Sequence, residues 1–233
     1  MEWSYPTALA TLRLPLHFGV QWRVDGLQFL PVHGPVILAS NHISYFDPLA
    51  LGYIADRRRR RARFLAKAEL FSNPVLGPLL RNGRQIPVQR HTAAAADALV
   101  GGLDALEHGE CVAVFPEGTI SDDLNPIAGH TGAARLAAIS GAPVVPVALW
   151  GTHRIMPNGI RLTPQLRIPV SVVLGAPLHI AAADDIDGAT DRIMSAICNA
   201  LAIARARYPH TSPDAWWYRS PESVVLRSCR ESA

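Results

Sequence analysis

The sequence predicts an α/β protein with a mixed, mostly parallel central sheet flanked by helices. Three observations carry that expectation. Short runs poor in charge, PVILASNH (35–42), ECVAVFPEG (110–118) and APVVPVALWG (142–151), have the length and composition of strands buried on both faces. Segments with helical start and stop signals lie between them. The two kinds of segment alternate along 233 residues without an obvious linker, as in successive β-α-β units.

In chain order, residues 7–20 read as an apolar helix that Pro15 kinks or ends. A strand follows at 35–42. Asp47 as N-cap and Pro48 at the first helical position open a helix over 47–56. Residues 61–70 read as a strand, 73–82 as a short helix and 84–90 as a strand. The alanine-rich stretch 92–109 reads as a helix capped by Thr92 and stopped at Gly109. Strands at 110–118 and 142–151 bracket a helix at 131–141, and a strand at 167–175 precedes a long amphipathic helix at 184–207. This order divides the chain into an apolar segment at 1–22, one domain at 23–207, and a polar, proline-containing tail at 208–233 that wraps the domain or is loosely ordered.

Composition narrows the class. Hydrophobic residues make up 49% and charged residues 18%, which excludes a disordered chain. No run approaches the roughly 18–20 apolar residues of a membrane span, and the N-terminus lacks the basic region and cleavage site of a signal peptide. Cys111, Cys198 and Cys229 are odd in number and far apart. They offer neither a disulfide framework nor a zinc pattern, and suit a reducing cytoplasm. Charge is concentrated: Arg57, Arg58, Arg59, Arg60, Arg61, Arg63 and Lys67 supply seven of the 22 cations, while the other fifteen face nineteen acids. Such a run suits anionic lipid head groups, another polyanion such as nucleic acid, or a solvated loop tip.

Three strand ends carry candidate chemistry. In Asn41-His42-Ile43-Ser44-Tyr45-Phe46-Asp47 a buried strand turns into a helix. On a helix, His42 and Asp47 would face different ways. At a corner the chain can fold back so that the carboxylate accepts the Nδ1–H bond, fixing the tautomer and leaving Nε2 as a base. A loop histidine beside a capping aspartate gives the same spacing. Phe115-Pro116-Glu117-Gly118-Thr119 puts a second carboxylate at the edge where open α/β sheets gather ligands, although Pro-Glu-Gly is also an ordinary turn. Arg90, just before the Thr92-capped helix, suits a phosphate or is a surface arginine. No G-x-S-x-G elbow supplies a nucleophile, and His42 and Asp47 lack the further ligands a metal site needs.

Together NHISYFD, the strand ending in Arg90, FPEGT and VVPVAL, in that order over residues 20–180, resemble the glycerolipid acyltransferase family, best known for 1-acylglycerol-3-phosphate acyltransferases. The resemblance implies that family's fold and a direct acyl transfer. In it His42 is the general base and Asp47 orients and charge-stabilises it. Asn41, Glu117, Gly118 and Thr119 line the acceptor pocket, and Arg90 meets the acceptor phosphate. Val144, Val145 and Pro146 shape the acyl channel. The co-substrate is an acyl-CoA or acyl carrier protein, with no cofactor, metal or nucleic acid.

Two departures bear on the acceptor. The family usually follows FPEGT with arginine, where this chain has Ile120, and a basic residue is common where His130 precedes Thr131-Gly132. Arg135 is the candidate replacement, a solvated helix arginine the alternative. The resemblance therefore leaves a lysophosphatidate, another lipid or alcohol acceptor, and a non-catalytic lipid-binding role open. Lipid substrates imply a peripheral position on the cytoplasmic face of a membrane. There residues 7–20 with Trp3, Tyr5 and Trp22 lie in the interface, or else pack on the sheet, and Arg57–Arg61 hold the anionic surface.

Overall fold

The structure, a computed structural model, describes residues 14, 16–88, 95–158, 167–209 and 214–219. Strands β1 (Val20–Asp25), β2 (Val36–Ser40), β3 (Ala62–Lys67), β4 (Ile86–Val88), β5 (Cys111–Val114), β6 (Val144–Trp150) and β7 (Ile168–Leu174) form one sheet in the order β1-β7-β6-β2-β5-β3-β4. Neighbours are parallel except β6 and β7. Helices α1 (Asp47–Arg57), α2 (Leu76–Asn82), α3 (Ala95–Glu107), α4 (Gly132–Ser140) and α5 (Ile186–Ala206) connect and cover the strands.

Strand periodicity builds two cores. Val36 and Leu38 of β2 point into one, with Leu51 and Ile54 of α1. Ile37 and Ala39 point into the other, with Ala105 of α3, Leu136 of α4 and Ile193 of α5. Because both faces of the central strands are covered, their sequences read as continuous apolar runs. Val144 and Val145, expected to shape an acyl channel, are fully buried core residues on opposite faces of β6.

The N-terminal boundary is corrected. Residues 14 and 16–19 are helical, but Val20–Asp25 is an edge strand in register with β7 from Val20 opposite Ile168. A break after residue 22 would cut it. Within VQWRVD, Gln21 and Arg23 are exposed while Trp22 and Val24 pack on the core, a period-two pattern hidden behind the apolar run before it. Trp22 stacks on Tyr53 at 4.6 Å and donates its indole N–H to Leu16 O at 2.7 Å. Trp3 and Tyr5 lie outside the described residues. At the other end, Tyr208 is buried and donates to Pro169 O at 2.8 Å, and Trp217 packs on Trp150, Leu201 and their neighbours under the Arg154 guanidinium.

The arginine run lies on the edge of the sheet opposite His42. It joins the end of α1 to the start of β3, at the amino edge of the parallel strands, whereas His42 follows the carboxyl end of β2. The five residues of β2 separate these edges by roughly 16 Å. Arg60 is moreover 8% exposed, donating to the carbonyls of Pro31, Gly34 and Gly109, and Arg58 donates to Leu30 O. Arg57, Arg59 and Arg61 are exposed on that far edge.

Candidate active site

The carboxyl ends of β2 and β5 are neighbours in the sheet, so the two motif loops leave it side by side. His42 is fixed at four points. Its Nδ1 lies 2.9 Å from Asp47 Oδ2, its ring stacks on Phe115 at 4.1 Å, its backbone N–H donates to Glu117 Oε1 at 2.8 Å, and its carbonyl accepts from Ser121 N at 2.8 Å. The side chain keeps 15% of its surface. With Nδ1 donating to the carboxylate, Nε2 carries the lone pair.

Asp47 reaches back by a different route from the N-cap expected. Phe46 occupies the cap and Asp47 is the first helical residue. Its Oδ2 accepts from Ile43 N at 2.7 Å and Ser44 N at 2.8 Å as well as from His42. The carboxylate thus closes the very loop that brings the imidazole to it. Ser44, two residues on in the same loop, is fully buried, donates toward Thr152 O and Met156 O, and accepts from Phe46 N. It holds the loop and is not placed to act as a nucleophile.

Two expected pocket residues have other duties. Asn41 is fully buried, and its side-chain amide donates to Leu149 O at 3.0 Å while its Oδ1 accepts from Leu149 N at 2.8 Å. It carries the ladder to β6 one step past the end of β2 and has no surface for an acceptor. Asn41→Ala strands both backbone groups of a buried strand. It is expected to lower stability by about 2–4 kcal/mol, read as a lower urea midpoint at unchanged slope; unchanged stability with a raised acceptor KM would make Asn41 a substrate contact after all.

Glu117 is 2% exposed, and its second oxygen accepts from Ile127 N at 3.1 Å. Where the sequence set this carboxylate against an acceptor hydroxyl, the structure sets it against two backbone amides. Burial pushes its pKa up to about 8, against the lowering effect of those amides. Gly118 sits at φ +68°, and a Cβ there would come within 2.9 Å of the His130 ring. Thr119 is exposed and Ile120 half-buried. Arg135 is exposed on α4, its Nε donating to Thr131 Oγ1 one turn back toward the site. Arg90 lies outside the described residues.

Sequence reasoning gave no role to Phe115, whose ring restrains His42 and stacks in turn on Phe64 at 6.3 Å. The signal was its place at the head of FPEGT. Nor did it find His153, 1% exposed, whose burial lowers its pKa to about 3 and which meets Trp217 O at 3.1 Å.

Fold and site together define a protein built around a histidine held by a carboxylate at the carboxyl edge of a mixed α/β sheet. The chain belongs to the acyltransferase family, whose model matches residues 21–150. It is 31% identical over 163 residues, 69% of its length, to the chloroplastic 1-acyl-sn-glycerol-3-phosphate acyltransferase LPAT1 of Arabidopsis thaliana, and 32% identical over 149 residues, 64% of its length, to the lyso-ornithine lipid O-acyltransferase of Rhizobium meliloti. The matched regions span 44% and 47% of those relatives, under half of either. Its fold is that of the 1-acyl-sn-glycerophosphate acyltransferase PlsC of Thermotoga maritima, with TM-score 0.70 and 24% identity over 88% of this chain and 84% of that one.

Proposed function

We propose that the chain is an O-acyltransferase that moves a fatty acyl group from an acyl-CoA or acyl carrier protein thioester to a lysophospholipid hydroxyl, with 1-acylglycerol-3-phosphate as acceptor and phosphatidic acid as product. The observation that carries this reading is the 2.9 Å His42–Asp47 contact at the sheet edge. His42 Nε2 removes the acceptor hydroxyl proton as the oxygen attacks the thioester carbonyl. The C–S bond breaks, the thiolate leaves, and the imidazolium returns the proton to sulfur. Asp47 orients the ring and stabilises its charged form. Arg90 remains the proposed phosphate contact, with Arg135 and Thr119 beside the acceptor.

Exposed apolar side chains support a lipid surface at this edge. The antiparallel β6–β7 pairing brings the start of β1 to the same side as His42, so Leu14 (65% exposed) and Phe18 (67%) stand there with Tyr45 at the start of α1 and Leu70 and Val75 after β3. Such a patch suits peripheral contact with a bilayer. Among the described residues no helix is long and apolar enough to cross one.

A second reading keeps the chemistry and changes the acceptor. Ile120 and the His130 ring against Gly118 occupy positions the family commonly gives to cations, and one relative is named for a lyso-ornithine lipid acceptor. An acyl-transfer assay with palmitoyl-CoA and either lysophosphatidic acid or monoacylglycerol separates the two. Turnover of the phosphorylated acceptor alone is the expected result. Equal turnover of both moves the assignment to another lipid alcohol, and silence with both across acyl donors removes the catalytic reading.

A further inference from the structure

The amino edge of the sheet holds a cavity of about 290 Å³, lined by Arg59, Arg60, Arg61, Arg63 and Arg84 with Glu110 as the lining carboxylate. It lies across the sheet from His42. Glu110 is already shared, Oε2 accepting from Arg63 at 2.7 Å and Oε1 from Arg84 at 3.2 Å. Arg60 stands out because the residue is 8% exposed and, among the described residues, its hydrogen bonds go to carbonyls, at 3.0 Å to Pro31, 2.7 Å to Gly34 and 3.0 Å to Gly109. A buried cation is costly unless an anion pairs with it, and Glu110 accepts its hydrogen bonds from Arg63 and Arg84 instead. Arg59 and Arg84 hold left-handed backbone, φ 57° and 52°, a conformation that persists in non-glycine residues only where the surroundings impose it.

We propose that this cavity is a binding site for a small soluble oligophosphate. The volume is at the lower end of small-molecule pockets, roughly 300 Å³ and upward. One phosphate group, with about two charges, compensates only part of the charge of Arg59, Arg60, Arg63 and Arg84 beside the one carboxylate Glu110, and two or more linked phosphates match it better. Planar guanidinium forks also suit phosphate oxygens. A membrane headgroup is the poorer source of the same chemistry, since the exposed apolar patch of Leu14, Phe18, Tyr45, Leu70 and Val75 stands at the opposite edge, while Val32 is the exposed apolar side chain lining the cavity. The inference does not depend on the acyl-transfer reading.

The test is calorimetric titration of the full chain with inorganic pyrophosphate, beside a sedimentation arm with phosphatidylglycerol vesicles. Expected is saturable one-site binding that the double variant Arg59→Gln/Arg84→Gln weakens by about tenfold or more, with the ligand-free melting temperature of the variant checking its fold. In the wild type alone, affinity has to fall as ionic strength rises, which keeps the test decisive if the variant does not fold. Absence of saturable binding, or equal affinity in a folded variant, overturns the proposal. So does arginine-dependent vesicle binding without a pyrophosphate site, which would assign the cavity to a lipid surface.

Discussion

His42→Ala is expected to lower acyl transfer by about two to four orders of magnitude, the usual contribution of a positioned general base, while the protein still folds. The imidazole keeps 15% of its surface and its carbonyl and amide stay bonded to Ser121 and Glu117 whatever the side chain is. The loss therefore falls on kcat, and turnover within tenfold of the wild type would remove His42 from the base role. Asp47→Asn refines the point. Asp47 Oδ2 takes all three of that carboxylate's hydrogen bonds, and Oδ1 is buried with no partner among the described residues. An asparagine oxygen in the Oδ2 position keeps the ring and loop in place, so this variant removes the charge and leaves the geometry. Its kcat should lie between wild type and His42→Ala. Asp47→Ala also releases Ile43 N and Ser44 N, and should lose stability as well as rate.

The sequence made the sheet's centre legible because strands buried on both faces leave an unbroken apolar record, as in VILAS and CVAV. It hid β1, since an edge strand with one covered face shows only alternation, and VQWRVD adjoins a helix-like apolar run. His42 and Asp47 were readable as a pair only once NHISYFD and FPEGT stood together in family order, because their spacing alone fits a loop histidine beside a capping aspartate as well. Asn41 and Glu117 were assigned to substrate through the resemblance, and a polar side chain at the end of an apolar run serves a ligand or an unmet backbone bond without the sequence alone saying which. Here the partners, Leu149 and Ile127, are 108 and 10 residues away. The arginine run was legible only in part. Its charge density was visible, but the edge of the sheet it occupies depends on strand direction, and the burial of Arg60 depends on carbonyls from residues 31, 34 and 109.

Glu117 carries the second large effect, through stability and geometry together. Its carboxyl is buried between the two motif loops, and burial raises its pKa from 4.5 to about 8. A raised acid binds its proton more tightly in the folded state. Its contribution is thus fully present below the unfolded value and is lost as pH rises toward 8, an interval worth roughly 4–5 kcal/mol by linkage. Glu117→Gln removes the titration. Its amide oxygen can still accept from one of the two backbone N–H groups, but its NH₂ faces the other with a donor. Two outcomes are expected together. At pH 5 the variant is less stable than the wild type, and the gap narrows between pH 5 and 8, because only the wild type loses stability there through this group. Turnover falls with it, since the amide of His42 loses its acceptor or the Ile127 strap comes loose. Thermal melts of both proteins across that range, run beside acyl-transfer assays at pH 7, decide it. Parallel pH profiles would show that Glu117 does not titrate in this window. A raised acceptor KM at unchanged kcat and stability would return the carboxylate to the pocket-lining role that its motif first suggested.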